Sequence, residues 1–169
     1  MAVGGIQFDL RGMGTELKEK FLSVPNFQRS FAWTADEVSE FWTDLHEAFH
    51  EGAAEYFLGT IVLTRKDAVS STIIDGQQRL ATTAILLAAI RDEYVSRGDT
   101  ARGDNIQSQY LSNMDLESGA KVSKLLLNSE DAHFFERRII LGDRSGLGNL
   151  NSGISGNSGF RAGPESVWQ

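Results

Sequence analysis

The segment Asp75-Gly76-Gln77-Gln78-Arg79 places an acid, a glycine, two amides and an arginine between a predicted strand and a predicted helix. Backbone N–H groups at a helix start, together with the helix dipole, favour an anion. Gly76 lets a ligand approach the backbone closely, and Arg79 adds a fork of donors that matches a phosphate. Asp75 can hold a divalent ion, a ribose hydroxyl or a water. The segment predicts a nucleotide phosphate site; the alternative is an ordinary Asp-Gly turn followed by a solvated helical turn.

Neighbouring side chains add hydrogen-bonding groups to this segment. Gln77 and Gln78 can donate to phosphate oxygens or hold a water, and Thr82 and Thr83 add hydroxyls one turn further along. The sequence has neither GxxxxGK[ST] nor GxGxxG, so the segment is not a Walker or Rossmann phosphate loop.

A second polar cluster places Gln28 and Arg29 between Phe27, Phe31 and Trp33. Aromatic rings interleaved with arginine suit a base, a sugar–phosphate edge or a modified nucleotide. The alternative is a loop whose rings fill the core while the polar side chains bond to backbone.

Two helices are predicted to position these clusters. Thr34-Ala35-Asp36-Glu37 is a capping box that starts the first helix. Its predicted apolar face comprises Val38, Phe41, Trp42, Leu45, Ala48 and Phe49. The longest helix is predicted over residues 77–96, and its predicted apolar face comprises Leu80, Ala84, Leu87, Ile90 and Tyr94.

Residues 56–64 and 72–75 are predicted as strands of a hairpin, because they are rich in aromatic and β-branched side chains around a polar turn. The other predicted elements are strands at 6–10, 21–25 and 121–128, a helix at 129–140, and short helical turns at 14–21 and 105–111. The predicted domain covers residues 1–141. Residues 142–169, rich in Gly, Ser and Asn, are predicted to be a flexible tail or the start of a further region.

Net charge, cysteine content and hydropathy exclude several classes of function. The chain has 169 residues and a formal net charge of −7, which argues against a generally basic nucleic-acid coat but not against a local basic cleft. It has no cysteine, which excludes disulfides, thiolate metal sites and a cysteine nucleophile. The longest nearly apolar run, 84–90, is too short to span a bilayer, and no signal peptide is evident, so a cytoplasmic location without membrane contact is expected. His46 and His50 have metal-binding spacing but are expected on the solvated side of their helix.

Four segments follow one another along the chain in the order found in a known protein family: VPNFQRSFAWTADEVSEFWTDL, YFLGTIVL, IIDGQQRLATTAILLAAIRD and LLLNSEDAHFF. Together they resemble the N-terminal, GmrS-like domain of the GmrSD-type modification-dependent restriction family, over about Phe21 to Ile140. The family usually has tyrosine where Phe27 stands and threonine where Ala81 stands. The resemblance implies an α+β fold similar to ParB and sulfiredoxin, with a small mixed β-sheet flanked by helices.

The resemblance also implies a function in bacterial defence against phage. Residues 75–79 would bind and hydrolyse a nucleoside triphosphate, with Mg²⁺ or another divalent ion at Asp75. The expected nucleotide is GTP. The DNA modification would be glucosylated hydroxymethylcytosine or, in the SspE-like branch, a phosphorothioate backbone. That branch is favoured here; Phe27, Gln28 and Arg29 occupy its sensing segment, and Trp33 is expected to join them. A C-terminal HNH-type nuclease domain is the expected partner, and no nuclease activity is expected from these residues alone.

Two other functions stay open at this point. One is a regulatory module that binds nucleotide or DNA without turnover. The other is a small-molecule kinase of the same fold, because a free-serine kinase has a similar segment, Asp-Gly-His-His-Arg. The glutamine pair Gln77-Gln78 in place of the histidines counts against the kinase. Self-association of the domain is not decided by the sequence.

Overall fold

In the computed structural model, residues 9–143 are described, and a four-stranded mixed sheet lies at their centre. Its strands are β1 (Phe21–Ser23), β2 (Val62–Arg65), β3 (Ser70–Asp75) and β6 (Leu125–Leu126), in the order β2-β3-β1-β6. β1 is parallel to both β3 and β6, whereas β2 and β3 form the predicted antiparallel hairpin. A separate two-stranded sheet pairs β4 (Ser112–Met114) with β5 (Lys121–Ser123). The α+β prediction with a small mixed sheet is confirmed.

Five α-helices accompany these sheets in the described part of the chain. They are α1 (Met13–Glu19), α2 (Ala35–His50), α3 (Gln77–Ser96), α4 (Thr100–Ile106) and α5 (Ala132–Phe134). The last two continue as π-helical segments, Gln107–Leu111 and Phe135–Ile140. No helix among residues 9–143 has the length and apolarity needed to cross a membrane.

Helix α3 has the predicted bounds, and its predicted apolar face is buried only at Leu80 and Ala84, in the first half of the helix. Leu80, Ala84 and Ala88 are buried together with the charged Arg91, while Ile90 remains 39% exposed. Apolar residues occur on several sides of this helix, so spacing alone could not single out the buried side. The core joins α3 to the strands through residues such as Leu22, Ile73 and Leu125.

The predicted strand 56–64 is confirmed only at its end, because β2 begins at Val62. Gly59 adopts a φ of +101°, outside the strand region. The predicted strand 121–128 divides at Lys124, where the chain changes partners. The Lys124 N–H donates to the Leu111 carbonyl, while its own carbonyl accepts from Leu22 N–H on β1.

Two smaller predictions also need correction. The last helix begins at Ala132 rather than at 129. Of the predicted strand at 6–10, residues 6–8 lie outside the described residues, and Asp9 and Leu10 are not in a strand. The predicted tail lies outside the described residues from 144 onward.

Helix α2 is peripheral. Its capping box is present: Thr34 accepts from the backbone and Glu37 reaches back to the Thr34 N–H at 2.6 Å. Of its sixteen residues, only Phe41 and Ala48 are buried. Trp42 and Phe49, which belong to the predicted apolar face, are 51% and 78% exposed.

Candidate functional site

The loop of residues 26–33 and the turn of residues 75–79 are hydrogen-bonded to each other. The Gln28 side-chain amide donates to the carbonyls of Ile73 and Ile74 at 3.0 and 2.9 Å. The Gln77 amide donates in return to the Arg29 carbonyl at 3.0 Å. The two polar clusters recognised in the sequence therefore form one structural unit.

Gln78 makes the most buried of these connections, at 7% exposure. Its Oε1 accepts from Ala32 N–H at 2.9 Å, and its Nε2 donates to the Ser30 carbonyl at 3.2 Å. The amide thus bonds one backbone donor and one backbone acceptor of the 26–33 loop. In this arrangement Gln78 fixes the loop against the start of α3.

A third segment, residues 126–131, supports the loop from another side. Asn128 is 3% exposed, and its Nδ2 donates to the Gln28 carbonyl at 3.0 Å. Asp131 Oδ2 accepts from Phe31 N–H at 2.6 Å. Sequence reasoning did not include Asn128 and Asp131 among the site residues. The signal was present, because the Asn-Ser-Glu-Asp run belongs to the fourth segment of the resemblance.

The 75–79 turn requires a glycine at its second position. Gly76 has a φ of +90°, and a Cβ built there would lie 3.2 Å from the Ile61 Cα. α3 follows directly, with no side chain capping its start and no acid in its first turn. The first N–H groups of a helix have no intrahelical partner. They are therefore available to an anion, and the helix dipole favours one.

Arg79 lies in the first turn of α3, and its guanidinium is not paired with another described side chain. This half-buried side chain makes no hydrogen bond or ion pair with residues 9–143. Its Nε lies against the backbone of Gly59, since a Cβ built on Gly59 would approach it to 2.8 Å. Asp75, exposed at the end of β3, likewise makes no side-chain hydrogen bond to another described residue.

The other predicted site residues differ in their accessibility. Phe27 is 85% exposed and Arg29 is exposed, while Trp33 is half-buried and packs on Phe41 with ring centroids 5.7 Å apart. The structure therefore places Phe27 and Arg29 where a large ligand can reach them, and Trp33 where it joins the loop to α2.

The two threonines are less accessible than the 75–79 turn. Thr82 is 5% exposed, and its hydroxyl has no hydrogen-bond partner among the described residues. The Thr83 hydroxyl donates to the Arg79 carbonyl at 2.8 Å. Neither hydroxyl lies on the open side of the turn.

A cavity of about 10 Å³ lies between the loop and α3, lined in part by Arg29, Gln77 and Asp131. It has room for one water molecule, whereas small-molecule pockets usually exceed about 300 Å³. A nucleotide would therefore have to lie on the solvent side of the turn, beside the exposed Asp75 and the half-buried Arg79.

The donor set limits the metal that this site can hold. Among residues 9–143 no three His, Cys, Asp or Glu side chains are grouped closely enough for a metal cage. Mg²⁺ that arrives with a nucleotide needs only one or two carboxylates besides phosphates and waters. Asp75 fits this second mode. His46 and His50 are exposed as predicted, with their Nε2 atoms 2.9 Å apart.

Comparison with known protein families adds to this geometry. The family described as the GmrSD restriction endonuclease, N-terminal domain, matches residues 11–148. The match includes the 26–33 loop, the 75–79 turn and the 126–131 segment. No curated protein matches the chain.

Proposed function

The chain belongs to the family of N-terminal domains of GmrSD restriction endonucleases, and we propose that it is a nucleoside triphosphatase that senses modified DNA. The family describes part of an enzyme that restricts DNA, so a nuclease region and a DNA substrate belong with this domain. The 75–79 turn would carry out hydrolysis, and the 26–33 loop would sense the DNA.

The observation that carries the proposal is Arg79, at the start of a 20-residue helix, whose guanidinium makes no hydrogen bond or ion pair with another described residue. Phosphoryl transfer spreads negative charge over the equatorial oxygens, and catalysis comes largely from positioned cations and N–H donors. Arg79 supplies the cation, and the first turn of α3 supplies the N–H groups. Both lie next to the exposed Asp75, at the point where β3 leads into α3.

Asp75 and Gln77 would orient the remaining reactants. Asp75 offers a carboxylate that can hold a water by hydrogen bonding or bind Mg²⁺ brought by the nucleotide. When bound, the ion would neutralise phosphate charge. The Gln77 amide donates an N–H to the Arg29 carbonyl, and its side-chain oxygen could accept from a water. Gln78 is assigned the role of holding the loop, because both ends of its amide are engaged there.

The 26–33 loop would face the DNA through Phe27 and Arg29. A phosphorothioate is a softer and more hydrophobic anion than a phosphate, so an exposed aromatic ring beside an arginine suits it. The chain is acidic overall, so any DNA contact must be local.

The test is phosphate release from GTP, ATP, UTP and CTP with Mg²⁺, comparing the native chain with Arg79→Ala. Loss of an arginine that stabilises the transition state lowers kcat by on the order of 10³-fold. Arg65→Ala, on the exposed β2 strand, is the matched control and should keep native turnover. If the native chain releases no phosphate, hydrolysis by these residues alone is ruled out.

The structure also favours a second candidate, a nucleotide-binding module without turnover. The amide nitrogens of Gln77 and Gln78 are both used in loop contacts, which leaves fewer groups to activate water. Equilibrium binding of a non-hydrolysable nucleotide separates the two candidates. Binding that depends on Arg79, with no phosphate release from any nucleotide, would establish the module.

A further inference from the structure

Helix α2 carries two histidines one turn apart, in the segment His46-Glu47-Ala48-Phe49-His50. Residues four positions apart lie on the same face of a helix. Both imidazoles are exposed, their Nε2 atoms are 2.9 Å apart, and their ring centroids are 4.2 Å apart. Nε2 is one of the two nitrogens through which a neutral imidazole binds a metal ion. The two side chains therefore present a converging pair of metal ligands to solvent.

Neighbouring aromatic rings hold both imidazoles in place. The Trp42 ring lies against His46 with 6.0 Å between centroids, and the Phe49 ring meets His50 edge-on at 5.8 Å. A hydrogen bond between the two imidazoles contributes little at an exposed position, because water offers each ring the same bond. Rings that are already oriented lose less freedom when they bind an ion between them. The packing therefore prepares the pair for a shared ligand.

The charge around the pair does not oppose a cation. No lysine or arginine occurs in residues 30–64, which include all of α2 and its flanks. His50 is the last residue of the helix, where the macrodipole is negative and favours a positive ion. A divalent ion at the pair is therefore stabilised by the helix end and is not repelled by a basic side chain of this segment.

The separation of the two nitrogens selects the kind of metal ion. An imidazole nitrogen lies about 2.0–2.1 Å from a bound divalent ion, so nitrogens 2.9 Å apart give an N–metal–N angle of about 90°. A tetrahedral ion would need the two nitrogens about 3.3 Å apart. Right angles between neighbouring ligands are typical of square-planar and tetragonal Cu²⁺ and Ni²⁺. Cu²⁺ also binds such ligands most tightly among the divalent first-row ions.

The same segment has the His-Glu-x-x-His order of the helix that binds zinc in metalloproteases. A catalytic zinc site has three protein ligands. Among residues 9–143 no third His, Asp or Glu side chain is grouped with this pair. The structure therefore provides an open site with two protein ligands, and it does not provide the ligand set of a zinc peptidase.

We propose that His46 and His50 form a bidentate site for Cu²⁺, with Ni²⁺ as the next best ion and water in the remaining coordination positions. The site uses none of the residues assigned to hydrolysis or DNA sensing, so it goes beyond the proposed function. A bound ion would join two successive turns of α2 and stabilise the folded chain.

The test is titration of Cu²⁺ into the whole chain without a polyhistidine tag, followed by tryptophan fluorescence and electron paramagnetic resonance. Trp42 lies next to His46, so a paramagnetic ion at the pair should quench its emission. One ion should bind per chain, with the resonance spectrum of tetragonal Cu²⁺ bound by two nitrogens. His46→Ala and His50→Ala should each weaken binding at least about tenfold, because a single imidazole loses the advantage of a linked second ligand.

Two matched variants serve as controls. His133→Ala removes the third histidine, which is also exposed, and should leave the affinity unchanged. His50→Ala with Glu51→His keeps three histidines but separates the pair by five residues, off the common face, and should bind no better than His50→Ala. Binding that does not saturate, equal losses in His46→Ala and His133→Ala, or tighter binding of Zn²⁺ than of Cu²⁺ would overturn the proposal. No nucleotide enters these measurements, so their failure would leave the proposed hydrolysis unaffected.

Discussion

Arg79 lies so close to Gly59 that a Cβ on the glycine would come within 2.8 Å of the arginine Nε. The two residues are twenty positions apart in the sequence: Gly59 precedes β2, and Arg79 follows β3. Gly59 therefore sets the path along which Arg79 reaches the open side of the turn. This contact links the irregular segment Phe57-Leu58-Gly59 to the proposed phosphate site.

Gly59→Ala should displace Arg79 and also strain the backbone, because φ is +101°. The strain should cost about 1–2 kcal/mol of unfolding free energy. Gly98→Ala is the control: its φ is +84°, and a Cβ there meets nothing within 4 Å. Urea unfolding should show similar losses in both variants, whereas phosphate release should fall in Gly59→Ala alone. Equal hydrolysis in the two variants would show that Gly59 does not position Arg79.

Gln78→Ala should destabilise the domain by about 1–3 kcal/mol, because it leaves the Ala32 N–H and the Ser30 carbonyl without their buried partner. Chemical denaturation gives the loss. Gln109→Ala, which removes a side chain bonded only to Asn105 at the surface, should change the unfolding free energy by less than about 0.5 kcal/mol. A loss no larger than that of the control would mean that the amide does not hold the loop.

Arg91→Ala should cost about 3 kcal/mol. The guanidinium is 6% exposed and donates to the Ile139 and Ile140 carbonyls at 3.1 and 2.7 Å, which would lose a charged partner. Arg97→Ala removes an arginine whose ion pair with Glu93 is exposed, and should cost less than about 1 kcal/mol. Hydrogen exchange should also show faster opening of residues 135–140 in Arg91→Ala only. Unchanged exchange there would contradict the assigned role.

The capping box predicts a pH dependence. Hydrogen bonds from the Thr34 side chain and backbone lower the pKa of Glu37 below its ordinary value of 4.5. The carboxylate therefore stabilises the folded state above pH 4.5, and this contribution is lost as the pH falls below that value. Unfolding free energies of the native chain and Glu37→Gln should differ at neutral pH and converge in acid. In a Thr34→Ala background the same substitution should have a weaker pH dependence.

The helices and the hairpin were predictable because their signals are local. The Thr34–Glu37 capping box and the Gly76 turn fixed the starts of α2 and α3 to within a residue. The strand bounds at 56–64 and 121–128 were not predictable from composition. They depend on Gly59 lying against Arg79 and on Lys124 exchanging hydrogen-bond partners, which are contacts between distant segments.

The candidate site was partly predictable for the same reason. Residue types identified the 75–79 turn and the 26–33 loop. Which glutamine faces solvent and which is buried could not be read from adjacent identical letters, since Gln77 and Gln78 differ only in helix phase. Asn128 and Asp131 were missed because their partners lie about a hundred residues earlier in the chain. For α2, spacing identified an apolar face but could not tell which of its side chains would be buried.

The Arg91 anchor has a mechanical consequence. Arg91 lies fourteen residues beyond Gln77 on α3, about 21 Å at 1.5 Å per residue. It donates hydrogen bonds to the Ile139 and Ile140 carbonyls, shortly before Asp143. The chain therefore continues to residue 144 from a point that is fixed to α3 about four turns from the proposed phosphate site. Because intrahelical hydrogen bonds resist stretching, a displacement at the start of α3 would move the whole helix. The segment that Arg91 holds, residues 139–140, would be displaced with it.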